Sequence, residues 1–228
     1  MVLMACCTAY GQVTLSARVA LVSANGGRAP KPRDIVFWLT PVGTDVKPAS
    51  LNQAGPRPRL LQKDKSFHPH VLVVPVGSAV EFPNHDPFFH NVFSLFEGKR
   101  FDLGLYEAGS SKDVRFDKVG ISYIFCNIHA QMSAVVLALD TPYYGISDQR
   151  GQLMIPRVPP GRYTLHVWYE SALPDTLNEL TREVTVSPQT STLGVFRLTA
   201  ATIPQEHKNK YGRDYEPPNP DSPGYARP

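Results

Sequence analysis

The sequence predicts an all-β protein made of two sandwiches and an extended tail. Its hydrophobic residues occur in short runs enriched in Val, Thr, Tyr, Phe and Ile, and these runs alternate with turns rich in Gly, Pro, Asn and Asp. Seven or more such runs, each separated from the next by a turn, are typical of a Greek-key sandwich. No segment has the periodicity of a helix, and 228 residues are enough to bury a substantial core.

The first sandwich is predicted over residues 12–140, with its core at 67–139. Its strands are expected, in chain order, at 13–22, 34–42, 71–76, 79–82, 90–96, 101–106, 112–116, 121–126 and 133–139. Residues 43–60 are rich in Pro, Ala and Gly, so we expect them to form a long loop. Pro75 interrupts an apolar run, which indicates an edge strand or a bulge.

The second, smaller sandwich is predicted over residues 141–200. Its strands are expected at 153–155, 162–170, 182–187 and 192–199. Residues 201–228 are polar and Pro-rich, and they contain too few hydrophobic residues to fold alone. We expect this stretch to be a disordered tail that can still wrap over a partner or over its own domain.

Residues 1–11 resemble the end of an export signal. They are apolar, and Ala9-Tyr10-Gly11 has the small-x-small pattern of a cleavage site, but the positive region that begins such signals is missing. We expect a signal whose start is truncated, and hence a protein of the periplasm or cell envelope. Residues 3–6 also fit a lipoprotein processing box, in which Cys6 carries a lipid anchor. The formal charge of +3 is spread along the chain, which argues against a nucleic-acid partner.

Cys126 is the single thiol left if the signal, with Cys6 and Cys7, is removed. A lone thiol cannot form an internal disulfide, so an exported protein with one Cys is expected to use it as a reactive or metal-binding group. The alternative is that Cys126 is a small buried hydrophobic residue. The residues around it distinguish the two interpretations.

Cys126 begins the sequence Cys-Asn-Ile-His-Ala-Gln-Met, which places His129 and Met132 on the same predicted loop between two strands. Upstream, His90 stands at the start of another predicted strand. Two imidazoles, one thiolate and one thioether are the ligands of a type 1 copper site, in which Cys and two His form a plane and Met is a weak axial ligand. The sequence therefore predicts one type 1 copper ion held by His90, Cys126, His129 and Met132.

Other metal sites and activities fit less well. The chain has no C-x-x-C-H haem motif, no second Cys in the loop for a dinuclear copper centre and no set of H-x-H elements for a multicopper oxidase. A Cys-His hydrolase would leave little room for an orienting group on so short a loop. His85 competes with His90 as a ligand or could bind a second metal ion, although a turn position is favoured. His68 and His70 could form a second copper site, although a surface position is favoured for both.

Residues 67–139 resemble the cupredoxins, the group of plastocyanin, pseudoazurin and amicyanin. The resemblance is carried by HPHVLVVPVGSAVEFPN, HNVFS and GISYIFCNIHAQM, and the short ligand loop is most similar to that of amicyanin. It implies the same four copper ligands, and it implies that Asn91 hydrogen-bonds across to the ligand loop. The stretch GQLMIPRVPPGRYTLHVWYE resembles the carboxypeptidase regulatory-like domain, a structural or binding module without a catalytic set.

These observations predict a non-enzymatic, one-electron carrier of the periplasm or cell envelope. His129 is the expected electron port, bordered by Ile128, Ala130 and Gln131, and the expected partner is a cytochrome or an envelope oxidoreductase. Two alternatives remain: a protein that binds or delivers copper, and an envelope binding module in which copper is secondary. A nitrite reductase fits least, because no second copper site is visible in the sequence.

Overall fold

The computed structural model describes residues 11–24, 26–43, 56–95, 98–201 and 206–215. The all-β class is confirmed. The strands are β1 (Val13–Ser23), β2 (Val36–Pro41), β3 (Leu61–Lys63), β4 (Ser66–His68), β5 (Val71–Pro75), β6 (Ser78–Pro83), β7 (His90–Ser94), β8 (Phe101–Tyr106), β9 (Ser111–Phe116), β10 (Gly120–Cys126), β11 (His129–Leu139), β12 (Tyr144–Ile146), β13 (Gln152–Val158), β14 (Gly161–Trp168), β15 (Arg182–Val186) and β16 (Thr192–Ala200).

One short helix, α1 (Pro174–Leu180), was not expected from the sequence. Pro174 in its first turn is preorganised for a helix start, and Asp175 complements the positive end of the helix dipole. None of its residues is fully buried, so the apolar stripe that identifies a helix in a sequence is weak here. In the ranges that the structure describes, no helix has the length and apolar character needed to cross a membrane.

The chain divides into two compact units, and this division corrects the predicted domain boundaries. The first unit contains residues 1–49 and 141–203, and the second contains residues 50–140 and 204–228. The sequence pattern places residues 12–140 in one domain, but β1 pairs with β13 and β16, and β2 pairs with β12 and β14. The alternation of buried and exposed residues in β1 shows that it is a strand, but it does not show which strands pair with it.

The first unit is a sandwich of two sheets, with strand orders β13-β1-β16 and β12-β2-β14-β15. Both sheets contribute large buried side chains to one hydrophobic core. Among them are Leu15 of β1, Phe37 of β2, Ile155 of β13, Tyr163 of β14 and Phe196 of β16. β1 and β13 alternate buried and exposed residues along most of their length, as expected of strands with one buried face.

The second unit contains a five-stranded sheet with the order β5-β11-β10-β7-β8, and two smaller sheets, β6-β9 and β3-β4. Two isolated bridges, Arg59 to Glu81 and Gln62 to Asn84, pair the chain around β3 with the chain around β6. Strands of the five-stranded sheet and of the smaller sheets contribute to one core, which includes Phe82, Phe116, Ile124, Cys126 and Met132. The one free thiol among the described residues therefore lies inside a sandwich, next to the end of β10.

The predicted disorder of the tail is wrong for residues 206–215, which belong to the second unit and make hydrogen bonds to it. This segment is polar, so its order comes from hydrogen bonds to the main chain, which a hydrophobicity pattern does not reveal. The predicted signal at 1–10 with Cys6, most of the 43–60 loop and residues 216–228 lie outside the described residues.

Candidate metal centre

The five-stranded sheet brings three of the predicted ligands together. His90 begins β7, Cys126 ends β10, and His129 begins β11. In the antiparallel registers, Cys126 lies opposite Val92 on one side and opposite His129 on the other. One nitrogen of each imidazole and the Cys126 sulfur all lie within 4.8 Å of one another.

Both imidazoles present the Nδ1 atom to the thiol. The Cys126 Sγ atom lies 3.5 Å from His90 Nδ1 and 3.4 Å from His129 Nδ1, and the two ring centroids are 4.9 Å apart. The set N, N and S at this spacing can hold one metal ion, and its chemistry is that of a copper site with two imidazoles and one thiolate. These three residues form the only such group of metal donors within the described part of the chain.

The Cys126 thiol is fully buried. Burial raises the pKa of this thiol, while hydrogen bonds from the backbone N–H groups of Asn91, Ile128 and His129 to the sulfur oppose that rise. Burial outweighs these three N–H groups, so the pKa of the Cys126 thiol stays above its ordinary value. Since a metal ion takes the place of the thiol proton, its binding here releases that proton.

Asp86 holds the far side of the His90 ring. The His90 Nε2 atom lies 2.9 Å from Asp86 Oδ2, and both side chains are buried. This contact leaves Nδ1 of the same ring free to face Cys126, as expected of a metal-binding His whose other nitrogen donates to a carboxylate. Burial lowers the pKa of His90. The hydrogen bond and the charge of Asp86 oppose this lowering, and the positive charge of Lys65 adds to it.

The turn of a β-hairpin holds the Asp86 carboxylate in place. Asp64 and Lys65, between β3 and β4, both have positive φ values, 53° each, as in a type I′ turn. Their backbone N–H groups donate to the Asp86 carboxylate at 2.6 and 3.0 Å, and the Asp86 N–H donates to Asn84 Oδ1 at 3.0 Å. Sequence reasoning missed Asp86, although its position four residues before His90 was a usable signal.

His129 is only partly buried, so it is the predicted ligand closest to solvent. Burial, together with the neighbouring His90 and Lys65, lowers the pKa of His129 to about 4. The Phe88 ring packs against both imidazoles, with centroid distances of 5.4 Å to His90 and 5.7 Å to His129. The ring of His129 is thus neutral and ready to bind a metal ion at neutral pH.

Met132 lies on β11 and is almost completely buried, in the same hydrophobic cluster as Cys126. A thioether in that cluster is shielded from water, as a weak axial ligand requires. Its role as a ligand stays a prediction.

Asn91 makes hydrogen bonds both to a neighbouring strand and to the ligand loop. Its side chain donates to Asp102 Oδ1 at 2.7 Å, on the neighbouring strand β8. Its main chain makes the connection to the ligand loop, because its carbonyl accepts from Asn127 N–H at 2.8 Å. Because backbone groups do this, residue identity at position 91 did not indicate it.

The competing histidines lie outside the donor group. His85 and His68 are exposed, and His70 Nδ1 lies 3.2 Å from the carbonyl oxygen of Ser133. His90 is the upstream histidine that the structure brings to Cys126 and His129.

No protein-family model and no curated protein matches the chain. Among solved structures, the chain is similar to a purple cupredoxin from Nitrosopumilus maritimus, with 21% identity over 36% of this chain and 99% of the other, at a TM-score of 0.33. A reduced Cu(I) form, at pH 4, of an amicyanin mutant gives 18% identity, 41% and 92% coverage and a TM-score of 0.35. A Cu-containing nitrite reductase from Thermus scotoductus SA-01 gives 24% identity, 44% and 25% coverage and a TM-score of 0.36.

Proposed function

We propose that this protein is a type 1 copper electron carrier of the bacterial periplasm or cell envelope, with His90, Cys126, His129 and Met132 as ligands. The observation that carries the proposal is the convergence of two imidazole nitrogens and one buried thiol within 4.8 Å. A copper ion bound by these residues supplies a Cu(I)/Cu(II) couple. Cys126, His90 and His129 would hold the ion, and Met132 would be a fourth, weaker ligand.

The ligands are held by contacts that do not involve a metal ion. Cys126 is held by the pairing of β10 with β7 and β11, and the His90 ring is held by Asp86. A site that keeps its shape in both oxidation states has little to rearrange when an electron enters or leaves. Ligands positioned by such contacts support electron transfer as the function.

His129 is the proposed electron port. It is the partly exposed member of the donor group, and Ile128 and Ala130 beside it are also partly exposed, while Gln131 is exposed. A small surface of this kind suits brief and weak docking. The proposed partner is another redox protein, a cytochrome or an envelope oxidoreductase.

The remaining parts of the proposal concern the rest of the chain. Residues 141–200, within the first unit, are proposed to be a carboxypeptidase regulatory-like module with a structural or binding role. The protein is proposed to be exported, with Cys6 as a candidate lipid anchor.

Within the described ranges there is one group of metal donors, which favours a carrier over a copper enzyme with a second catalytic metal.

The test is the visible and electron paramagnetic resonance spectra of the copper-loaded protein, followed by voltammetry. We expect an intense thiolate-to-copper band and a reversible one-electron wave. Cys126→Ser should abolish the band, whereas the matched control Cys6→Ser with Cys7→Ser should keep it. A wild-type protein without the band refutes the proposal, and a protein with slow electron exchange that passes copper to an acceptor is a delivery protein instead.

A further inference from the structure

The ligand loop departs from the regular ladder at the residues that carry the site. The pairing of β10 with β11 passes from Phe125 opposite Ser133 directly to Cys126 opposite His129. Ala130, Gln131 and Met132 therefore lie outside the paired register, between two of the proposed ligands. Hydrogen bonds other than those of the ladder must hold this stretch of main chain in place.

Residues 206–215 supply such bonds. The His207 N–H donates to the Ala130 carbonyl at 3.0 Å, and the His207 Nε2 atom lies 3.2 Å from the carbonyl oxygen of His129. The Tyr215 hydroxyl donates to the carbonyl of Cys126 at 2.7 Å. Two proposed ligands and the first residue of the irregular stretch are thus bound through their main chains by this one segment.

Lys210 extends the same set of contacts. Its N–H donates to the side-chain oxygen of Asn127, the residue after Cys126, at 2.8 Å. Its ammonium group donates at 2.7 Å to Asp102, the same carboxylate that accepts from the Asn91 side chain. Since Asn91 follows His90, the segment is tied to the surroundings of a third proposed ligand.

The segment has a defined shape of its own. The Asn209 side chain accepts from the N–H groups of Tyr211 and Arg213 at 2.9 and 3.0 Å, which closes a turn. The His207 ring packs on Phe125 at a centroid distance of 4.5 Å and meets the Tyr215 ring nearly edge-on at 5.4 Å. A turn with fixed side chains can orient the loop, which a loosely attached tail cannot do.

We propose that residues 206–215 are a positioning element of the metal centre, which holds the main chain of residues 126–130 in the metal-binding conformation. This inference rests on the proposed copper function. His207 and Tyr215 act through the carbonyl groups of the ligand residues and do not touch the metal ion. Their loss should let the loop move, so that copper leaves faster and its geometry changes.

The test compares the double variant His207→Ala with Tyr215→Phe against wild type. The double variant removes two side-chain hydrogen bonds, so copper release to a chelator should be about thirtyfold faster, which corresponds to about 2 kcal/mol. The thiolate-to-copper band, the copper hyperfine splitting and the reduction potential should shift as well. The matched control is the double variant His68→Ala with Tyr144→Phe, at an exposed histidine and at a tyrosine of the first unit, and it should behave as wild type.

Tyr215→Phe alone provides a milder variant, because it removes one hydroxyl and keeps the ring. We expect it to release copper severalfold faster, with the metal-free protein unfolding near the wild-type temperature. If the variants lower only the unfolding temperature and leave release rate, spectra and potential unchanged, the segment has a structural role and the inference is wrong. A wild-type protein without a thiolate-to-copper band refutes the proposed function instead, so the two failures are distinguishable.

Discussion

The Asp86 carboxylate and the His90 imidazole form a buried pair, with Asp86 Oδ2 at 2.9 Å from His90 Nε2. Burial alone would raise the pKa of Asp86, but hydrogen bonds from Lys65 N–H, His90 and Asp64 N–H outweigh it and hold that pKa below its ordinary value. Asp86 is therefore ionised at neutral pH. A negative charge in contact with a proposed copper ligand stabilises the more positive, oxidised metal ion.

Replacing Asp86 with Asn should raise the reduction potential. The variant keeps the size of the side chain and removes the charge, so Cu(II) loses more stabilisation than Cu(I). We expect a rise of the order of 60 mV, the one-electron equivalent of a tenfold change in an equilibrium constant. Voltammetry of the copper-loaded protein at pH 7 measures it.

The control for this substitution is Asp117→Asn. Asp117 is exposed and pairs with Lys99, so the variant makes the same change in net charge without touching a proposed ligand. Its potential should stay near that of wild type. Equal shifts in both variants would mean that net charge, and not the Asp86–His90 contact, sets the potential.

Substitutions of Met132 should change the potential and spare the visible band. Met132→Gln introduces a harder donor that favours Cu(II), so the potential should fall, whereas Met132→Leu removes the axial ligand and should raise it. The band arises from Cys126 and should persist in both. Met154→Gln is the matched control, since Met154 is 64% exposed and lies in the first unit; potentials of both Met132 variants equal to wild type would exclude axial ligation.

The metal-free protein should lose stability as the pH falls from about 6.5 toward 4. The pKa of His129 is about 4 in the folded chain against 6.5 for the ordinary group, so in this window the unfolded chain binds a proton that the folded chain does not. Lower pH therefore favours the unfolded state. Urea unfolding of the metal-free protein at pH 7, 6, 5 and 4.5 measures the slope.

His129→Asn should make that slope shallower, because it removes the titrating group. His85→Asn is the control, since His85 is exposed and lies outside the donor group. A slope unchanged in His129→Asn would show that other groups cause the loss of stability at low pH.

The assignment of β1 to the first unit predicts which core substitution affects the metal centre. Leu15 and Leu60 are both fully buried, but they belong to different cores. Leu15→Ala should cost about 3 kcal/mol of unfolding free energy and leave the copper band at wild-type position and intensity. Leu60→Ala should lower the temperature at which the band is lost, and the reverse pattern would contradict the division into units.

The sequence predicted the strands, the sandwiches and the donor group better than their connections. Cys126 and His129 are recognisable because ligand residue types recur at a short spacing on one loop, and His90 because it starts a strand. The pairing of β1 with β16 depends on contacts between segments about 175 residues apart, which alternation within a strand cannot identify. Asp86, the Asn91 main chain and residues 206–215 act through hydrogen bonds, which leave little trace in a hydrophobicity pattern.

The path of the chain makes the metal-binding unit an insertion. β2 ends at Pro41 and β12 begins at Tyr144, and these two strands are neighbours in one sheet of the first unit, with Trp38 opposite Tyr144. Residues 50–140 are thus inserted between two strands that are neighbours in the sheet and that a short hairpin turn could otherwise connect. The inserted segment does not form the second unit alone, because residues 206–215 also belong to that unit. A minimal version of the metal centre therefore needs two separate pieces of sequence, joined by design or supplied together.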